Sequence, residues 1–157
     1  MASRATIGDI IEIPGPYGLA YAQYTHEHTS PPKLGSLLRM LPGTYESRPA
    51  NLLDLVYGCE RFYAFYPLSY MLKEGAVRIV AHAPVPEHAR EFPLFRAAGN
   101  IDEGTGRVVD WWLWDGQREW RIGELTPELL RLPIRSIVSH ELLVERIASG
   151  WLPKDRG

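Results

Sequence analysis

The chain has 157 residues, 45% of them hydrophobic, and a formal net charge of −2, which suits one domain burying roughly 68–70% of the surface its unfolded chain would expose. The 17 Lys and Arg residues are scattered rather than clustered, so a phosphate-tracking groove is disfavoured and nucleic acid is not expected as a partner. No stretch has the apolar length of a membrane span, the first residues lack the hydrophobic core of a secretory signal, and Cys59 is the single cysteine; the expectation is a cytoplasmic protein with no membrane association and no internal disulfide.

Ile7 to Pro14 reads as a first strand, ended by the turn-forming run Pro14-Gly15-Pro16-Tyr17-Gly18. Leu19 to His28 returns as a second strand, with Tyr21 and Gln23 alternating against Ala20, Ala22 and Tyr24, until Ser30-Pro31-Pro32 stops it. A third strand from Gly35 to Leu41 precedes Pro42-Gly43, and three sequential strands with short connections predict an antiparallel meander. Leu52 to Val56 fits either a strand or a short helix, whereas Arg61 to Tyr66 is an aromatic strand. Pro67 sits at a position that a first helical turn tolerates, and Leu68, Met71 and Leu72 recur at helical spacing up to Gly75. Val77 to Ala81 returns to strand. Between His82 and Arg96, Pro84, Pro86 and Pro93 oppose both helix interiors and central strands, which predicts an ordered loop over the surface.

After a turn at Asp102-Glu103-Gly104, residues 109 to 123 hold four of the five tryptophans in two β-like runs around Asp115-Gly116. Asp-Gly is a preferred filling of a two-residue type I′ turn. That turn pairs Trp114 with Gln117, Trp112 with Glu119, Trp111 with Trp120 and Asp110 with Arg121. One face then carries Val109, Trp111, Leu113, Trp120 and Ile122 and suits a core. The other sets Trp112 and Trp114 among Asp110, Gln117, Glu119 and Arg121; it is either an interaction surface or a second buried face. Thr126-Pro127-Glu128 starts a short helix that Pro133 cuts to about one turn. Ser139 caps a longer one through Ser149, with Leu143, Val144 and Ile147 as its buried stripe and Gly150 as its left-handed stop.

Motifs for catalysis or cofactors are sparse. His26-Glu27-His28 offers ligand types that zinc uses, but places Glu27 opposite the two histidines and lacks further ligands at a recognisable spacing. His82, Glu87 and His88 lie in the proline loop without such a spacing. Gly-x-Ser-x-Gly, the Walker loop and Gly-x-Gly-x-x-Gly do not occur, and Gly35-Ser36 does not replace them. Cys59, between Gly58 and Glu60, has no surrounding motif and reads as a structural or incidental thiol. No cofactor and no catalytic residue are expected.

Several segments together, in order, resemble the immunity protein 26 family of bacterial polymorphic toxin systems: Ile7 to Pro14, Tyr21, Phe65, Pro67, Pro84-Val85-Pro86, Phe92 to Arg96, Trp112 to Gly116, and Ile122 to Leu125. The resemblance covers roughly residues 7–150. It implies a β-rich cytoplasmic protein that binds a cognate toxin and blocks it, with no catalytic residue. The expectation is therefore a single α+β domain over residues 1–157, with its core at about 7–151 and short flexible ends. It is dominated by an antiparallel, partly closed sheet, with a short central helix and a C-terminal helix. The expected partner-binding residues are Trp112, Trp114, Glu119, Asp102 and Glu103. A general peptide, glycan or single-stranded nucleic-acid module using the same aromatics is the alternative, and a small hydrolase is a third.

Overall fold

The computed structural model describes residues 4–155; the expected flexible ends fall partly outside that range. Strands β1 (Asp9–Gly15), β2 (Gly18–His28), β3 (Gly35–Met40) and β4 (Tyr63–Tyr66) form the anticipated meander, and β5 (Arg78–His82) joins the free side of β1. All pairings are antiparallel, in the order β4-β3-β2-β1-β5. The short helix α1 (Leu68–Lys73) links β4 to β5. A second, three-stranded antiparallel sheet holds β6 (Phe95–Ala98), β7 (Trp111–Trp114) and β8 (Glu119–Gly123), and helix α2 (His140–Ser149) follows. The α+β class is as expected, but the strands divide between two sheets rather than one.

The large sheet is buried on both faces, which is why β1 reads Ile10-Ile11-Glu12-Ile13 instead of alternating cleanly. On one face Ile11, Ile13, Ala22, Leu38, Met40 and Tyr66 pack with Leu68 of α1 and with Leu143 and Ile147 of α2. Each such aliphatic side chain contributes about 1.5–3 kcal/mol by leaving water. Helix α2 begins and ends on the predicted signals: the Ser139 hydroxyl accepts from the Leu142 N–H at 3.2 Å, and Gly150 adopts φ 70°. Trp151 then stacks edge-on against Phe62 and lies under the Arg146 guanidinium.

On the opposite face Ile10, Tyr21, Leu41, Leu52 and Val56 form a second cluster under a 3-10 turn, Leu52–Tyr57, which resolves the strand-or-helix alternative there. Buried polar residues organise this face. Arg39 is fully buried; its Nε donates to Gln23 Oε1 at 3.1 Å, its Nη1 to the Gly58 carbonyl at 3.3 Å and its Nη2 to the Val56 carbonyl, with Glu60 at 3.8 Å. Gln23 in turn donates to the Ala83 carbonyl at 2.8 Å. The covering turn is therefore held by hydrogen bonds to a side chain of the sheet beneath it.

Glu12, also buried, accepts from Arg48 Nε at 2.8 Å, Arg48 Nη2 at 3.2 Å and the Tyr21 hydroxyl at 2.9 Å, with Arg78 at 3.6 Å. The Arg48 hydrogen bonds hold its carboxyl below the ordinary value of 4.5 against the opposing effect of burial, while burial and Glu12 push the Tyr21 hydroxyl up to about 12. A carboxyl lowered in the folded state stabilises the fold above its unfolded value and loses that contribution as pH falls through the folded one. The acid limb of the stability curve should accordingly flatten in Glu12→Gln; urea titrations from neutral to acidic pH that gave parallel curves for both proteins would show that this cluster has no part in it.

The segment from Pro133 to Val138 joins the two sheets. Arg96 of β6 donates its N–H to the Pro133 carbonyl at 2.9 Å and accepts from the Arg135 N–H at 2.8 Å. Three residues later Val138 donates to the Phe65 carbonyl of β4 at 2.8 Å, and both contacts are parallel bridges. One short stretch thus covers one outer edge of each sheet, β4 and β6.

Three local expectations change. Phe95–Ala98 is a strand, where the proline content predicted loop; Pro93 lies just before it and leaves its N–H groups free to pair. Thr126 contributes its backbone carbonyl, to the Leu129 and Leu130 N–H groups, and the turn it opens is 3-10, Leu129–Arg131. The tryptophan hairpin turns one residue later than predicted. Asp115 pairs with Arg118, and Gly116-Gln117 form the loop. Gly116 alone takes positive φ, at 98°, the type II′ pattern. Asp115 keeps negative φ because its carboxylate accepts the Gln117 and Arg118 N–H groups at 2.9 and 2.7 Å, bonds that hold its pKa below the usual value.

Candidate partner-binding surface

The later turn moves the register by two positions, so Trp112 faces Arg121 and Trp114 faces Glu119. An even shift keeps each side chain from Trp112 to Arg121 on its predicted face, before the register slips a further residue to set Trp111 opposite Gly123, yet burial does not follow those faces. Trp114 is only 2% exposed. Its ring lies 4.8 Å from His28, 5.4 Å from Phe95, 5.5 Å from Phe92 and 6.1 Å from Phe65 by centroid, and the Arg135 guanidinium sits 5.3 Å above it. Trp114 is therefore the hub where the small sheet docks on β3 and β4, and it is not available to a partner. Trp112 is half-buried. Trp111 and Leu113 on the other face are buried as expected, with Arg96 over the Trp111 ring at 4.6 Å, but Val109 and Trp120 of the same face are 52% and 41% exposed.

His28 completes the hub. It is buried rather than at an exposed strand end, its Nε2 donating to the Gly116 carbonyl at 2.9 Å, which fixes Nε2–H as the tautomer when the ring is neutral. His26 lies 2.9 Å from the Thr25 hydroxyl and 2.8 Å from the Arg90 carbonyl, and Glu27 accepts from Tyr24 and Ser36. Among the described residues no group of three or more His, Cys, Asp or Glu side chains is placed to hold a metal.

The expected acids separate along β7. Glu119 stands at the turn end and is engaged by Arg135 at 2.8 Å. Asp102 and Glu103 stand at the opposite end, where the β6–β7 hairpin runs on through Gly99 to Asp110 and Ile101 to Val108 pairings. Six residue steps from Val108 to Trp114 correspond to about 20 Å. Asp102 Oδ1 accepts the Gly104 N–H at 2.8 Å and shapes the loop, while Glu103 is exposed. The Asp110–Arg121 pair forms at 2.5 Å, diagonally across the strands instead of directly opposite. The five anticipated residues therefore do not converge.

Exposed apolar side chains gather instead at the loop end. Ile101 and Val109 are 58% and 52% exposed, on opposite faces of the ribbon because Ile101 pairs with Val108, and on the Val109 side opens a cleft of about 380 Å³ lined by Thr105, Arg107, Val108, Val109, Trp111, Glu124, Leu125 and Leu130. Arg107 and Glu124 bring charge to this cleft, and Asp102 and Glu103 are exposed in the loop that precedes Arg107. An apolar centre with a charged border is how protein-binding patches are built. Ile101 and Val109 were missed as site residues because an alternating strand pattern tells which face a residue is on but not whether another layer covers it. Among the described residues no helix is long and apolar enough to cross a membrane. Comparison with protein-family models, with curated proteins and with solved structures finds no significant match.

Proposed function

We propose that the protein is an immunity protein that binds a cognate bacterial toxin in the cytoplasm and neutralises it by masking. The observation that carries this reading is where the residues of the family resemblance fall. Ile10, Ile11 and Ile13, Tyr21, Phe65, Phe95 and Trp114 are all buried in the core or its aromatic hub. The resemblance thus rests largely on scaffold positions, although Ile7, Pro84 and Asp115 among its residues are exposed, and a masking protein needs a scaffold and a surface, with no catalytic group of its own. The loop end that exposes Ile101 and Val109 on its two faces is the surface this reading assigns to the toxin, with the exposed loop acids Asp102 and Glu103 steering the encounter.

Burial of Trp114 removes the paired aromatic platform on which a glycan or single-stranded nucleic-acid module would have rested. The masking reading is tested by co-expression with toxins encoded beside the gene, scored by growth and by affinity of the purified pair. Ile101→Arg and Val109→Arg should each weaken binding about tenfold or more while leaving thermal stability near that of the parent, because both side chains start exposed. Growth rescue by no neighbouring toxin would overturn the function; rescue undiminished by either arginine would move the interface elsewhere on the molecule.

A further inference from the structure

The outer edge of the small sheet is bare on one side only. The Pro133–Val138 stretch covers β6, whereas β8 has no backbone partner beyond β7 among the described residues. The hydrogen-bonding phase of β8 follows from its turn. Asp115 N–H bonds the Arg118 carbonyl, so Arg118 and Trp120 direct their backbone groups toward β7, and Glu119 and Arg121 direct theirs outward. The same phase holds across β7, where the Gly99 to Asp110 bond places Trp112 and Trp114 toward β6.

An unprotected edge with outward donors and acceptors invites another strand, and proteins usually blunt it with like charges, proline or a bulge. The β8 edge has its one irregularity beyond Arg121, where Ile122 is the extra residue; the regular stretch before it carries one acid and one base flanking an aromatic. An antiparallel second copy can be laid against it in three central registers. Centring on Glu119 sets the two Glu119 carboxylates opposite one another, and centring on Arg121 sets two guanidinium groups opposite. Centring on Trp120 places each Glu119 opposite the other copy's Arg121. Both residues of that pair have outward backbone groups, so the two bonds of the ladder form where the charges attract. Trp120, 41% exposed, then meets its own copy in the close, non-hydrogen-bonded position. The other uncovered edge, β5, offers no such match, since Arg78 and His82 give it basic side chains and no acid.

We propose that the protein self-associates as a two-fold dimer through β8, paired antiparallel about Trp120, with Glu119 and Arg121 as the reciprocal ion pair that sets the register. The two small sheets become one continuous sheet across the axis. This association is independent of the toxin-binding reading.

The test is a sedimentation-equilibrium series on the full chain, reaching about 1 mM. Glu119→Arg and Arg121→Glu should each raise the dimer dissociation constant about tenfold, and the double reversal should return it to within about threefold of the parent, because the cross-copy pair is restored with its signs exchanged. Loss of the internal Glu119–Arg135 and Asp110–Arg121 pairs cannot produce that recovery, since the double variant lacks both. As a second measurement that needs no charge change, Trp120→Cys in a Cys59→Ser background should oxidise readily to a covalent dimer, the facing Cα atoms lying within disulfide reach. A chain monomeric at every concentration, a double reversal no better than the single ones, or a Trp120→Cys protein that stays reduced under mild oxidant each overturns the proposal.

Discussion

Replacing Trp114 with alanine is expected to cost the fold about 3–5 kcal/mol, the range for deleting a large aromatic from a close-packed interior. Trp114 touches His28, Phe65, Phe92 and Phe95, which come from β2, from β4, from the proline loop and from β6. Removing the indole empties the joint between the two sheets, and the main chains around it are tied by ladders that restrict collapse. Against a total stability of about 5–15 kcal/mol for a domain, such a loss unfolds a substantial fraction of the molecules at physiological temperature. Trp120→Ala, at an exposed site on the neighbouring strand, should cost about 1 kcal/mol or less. Thermal or urea denaturation of the pair decides the matter: equal losses for the two would mean that the aromatic hub carries no more of the stability than the surface does.

Arg39→Ala should be comparably damaging, by about 3–5 kcal/mol, for a different reason. No large apolar contact is lost. The Val56 and Gly58 carbonyls and Gln23 Oε1 instead lose the donor they face inside the protein, and Glu60 loses its nearest cation. Arg39→Met refills the space with an apolar stem yet supplies no donor, so it should recover only a minor share. The defect should be local in the first instance. Amide hydrogen exchange ought to accelerate most over residues 52–58, where the 3-10 turn rests on this side chain; a uniform acceleration over all strands would place the role of Arg39 in the sheet itself.

These two residues also show what a linear reading can and cannot extract. The meander β1–β3 is legible because its strands alternate or run apolar between proline and glycine turns, and α2 is legible because Ser139 and Gly150 mark its ends. Each of those signals lies within a few residues of the element it defines. The burial of Arg39 and Arg96 has no such local mark, for a guanidinium in a strand reads as a surface group until the distant carbonyls that receive it are known. For Arg96 these include those of Leu132 and Pro153. The same holds for Trp114, whose indole is covered by segments 20 to 90 residues earlier in the chain, and for β6, a four-residue strand that only its pairing with β7 reveals. Of the anticipated binding residues, Glu103 alone is exposed without a structural tie of its own, because the pattern supplied the faces of the hairpin and tertiary docking decided which of them meets water.

The Pro133–Val138 stretch sets an order of events for the chain as it is made. All eight strands of the described residues precede it, so both sheets can assemble while their edges at β4 and β6 still expose unpaired amides and carbonyls. Closure arrives only when this late segment lies down across both, through contacts separated by some of the longest loops in the molecule. Until then the nascent protein presents sticky strand edges to its neighbours. Truncation ahead of Pro133, or a bulky fusion that hinders this last piece from seating, should therefore send the product to inclusion bodies even though every strand of the fold has already been synthesised.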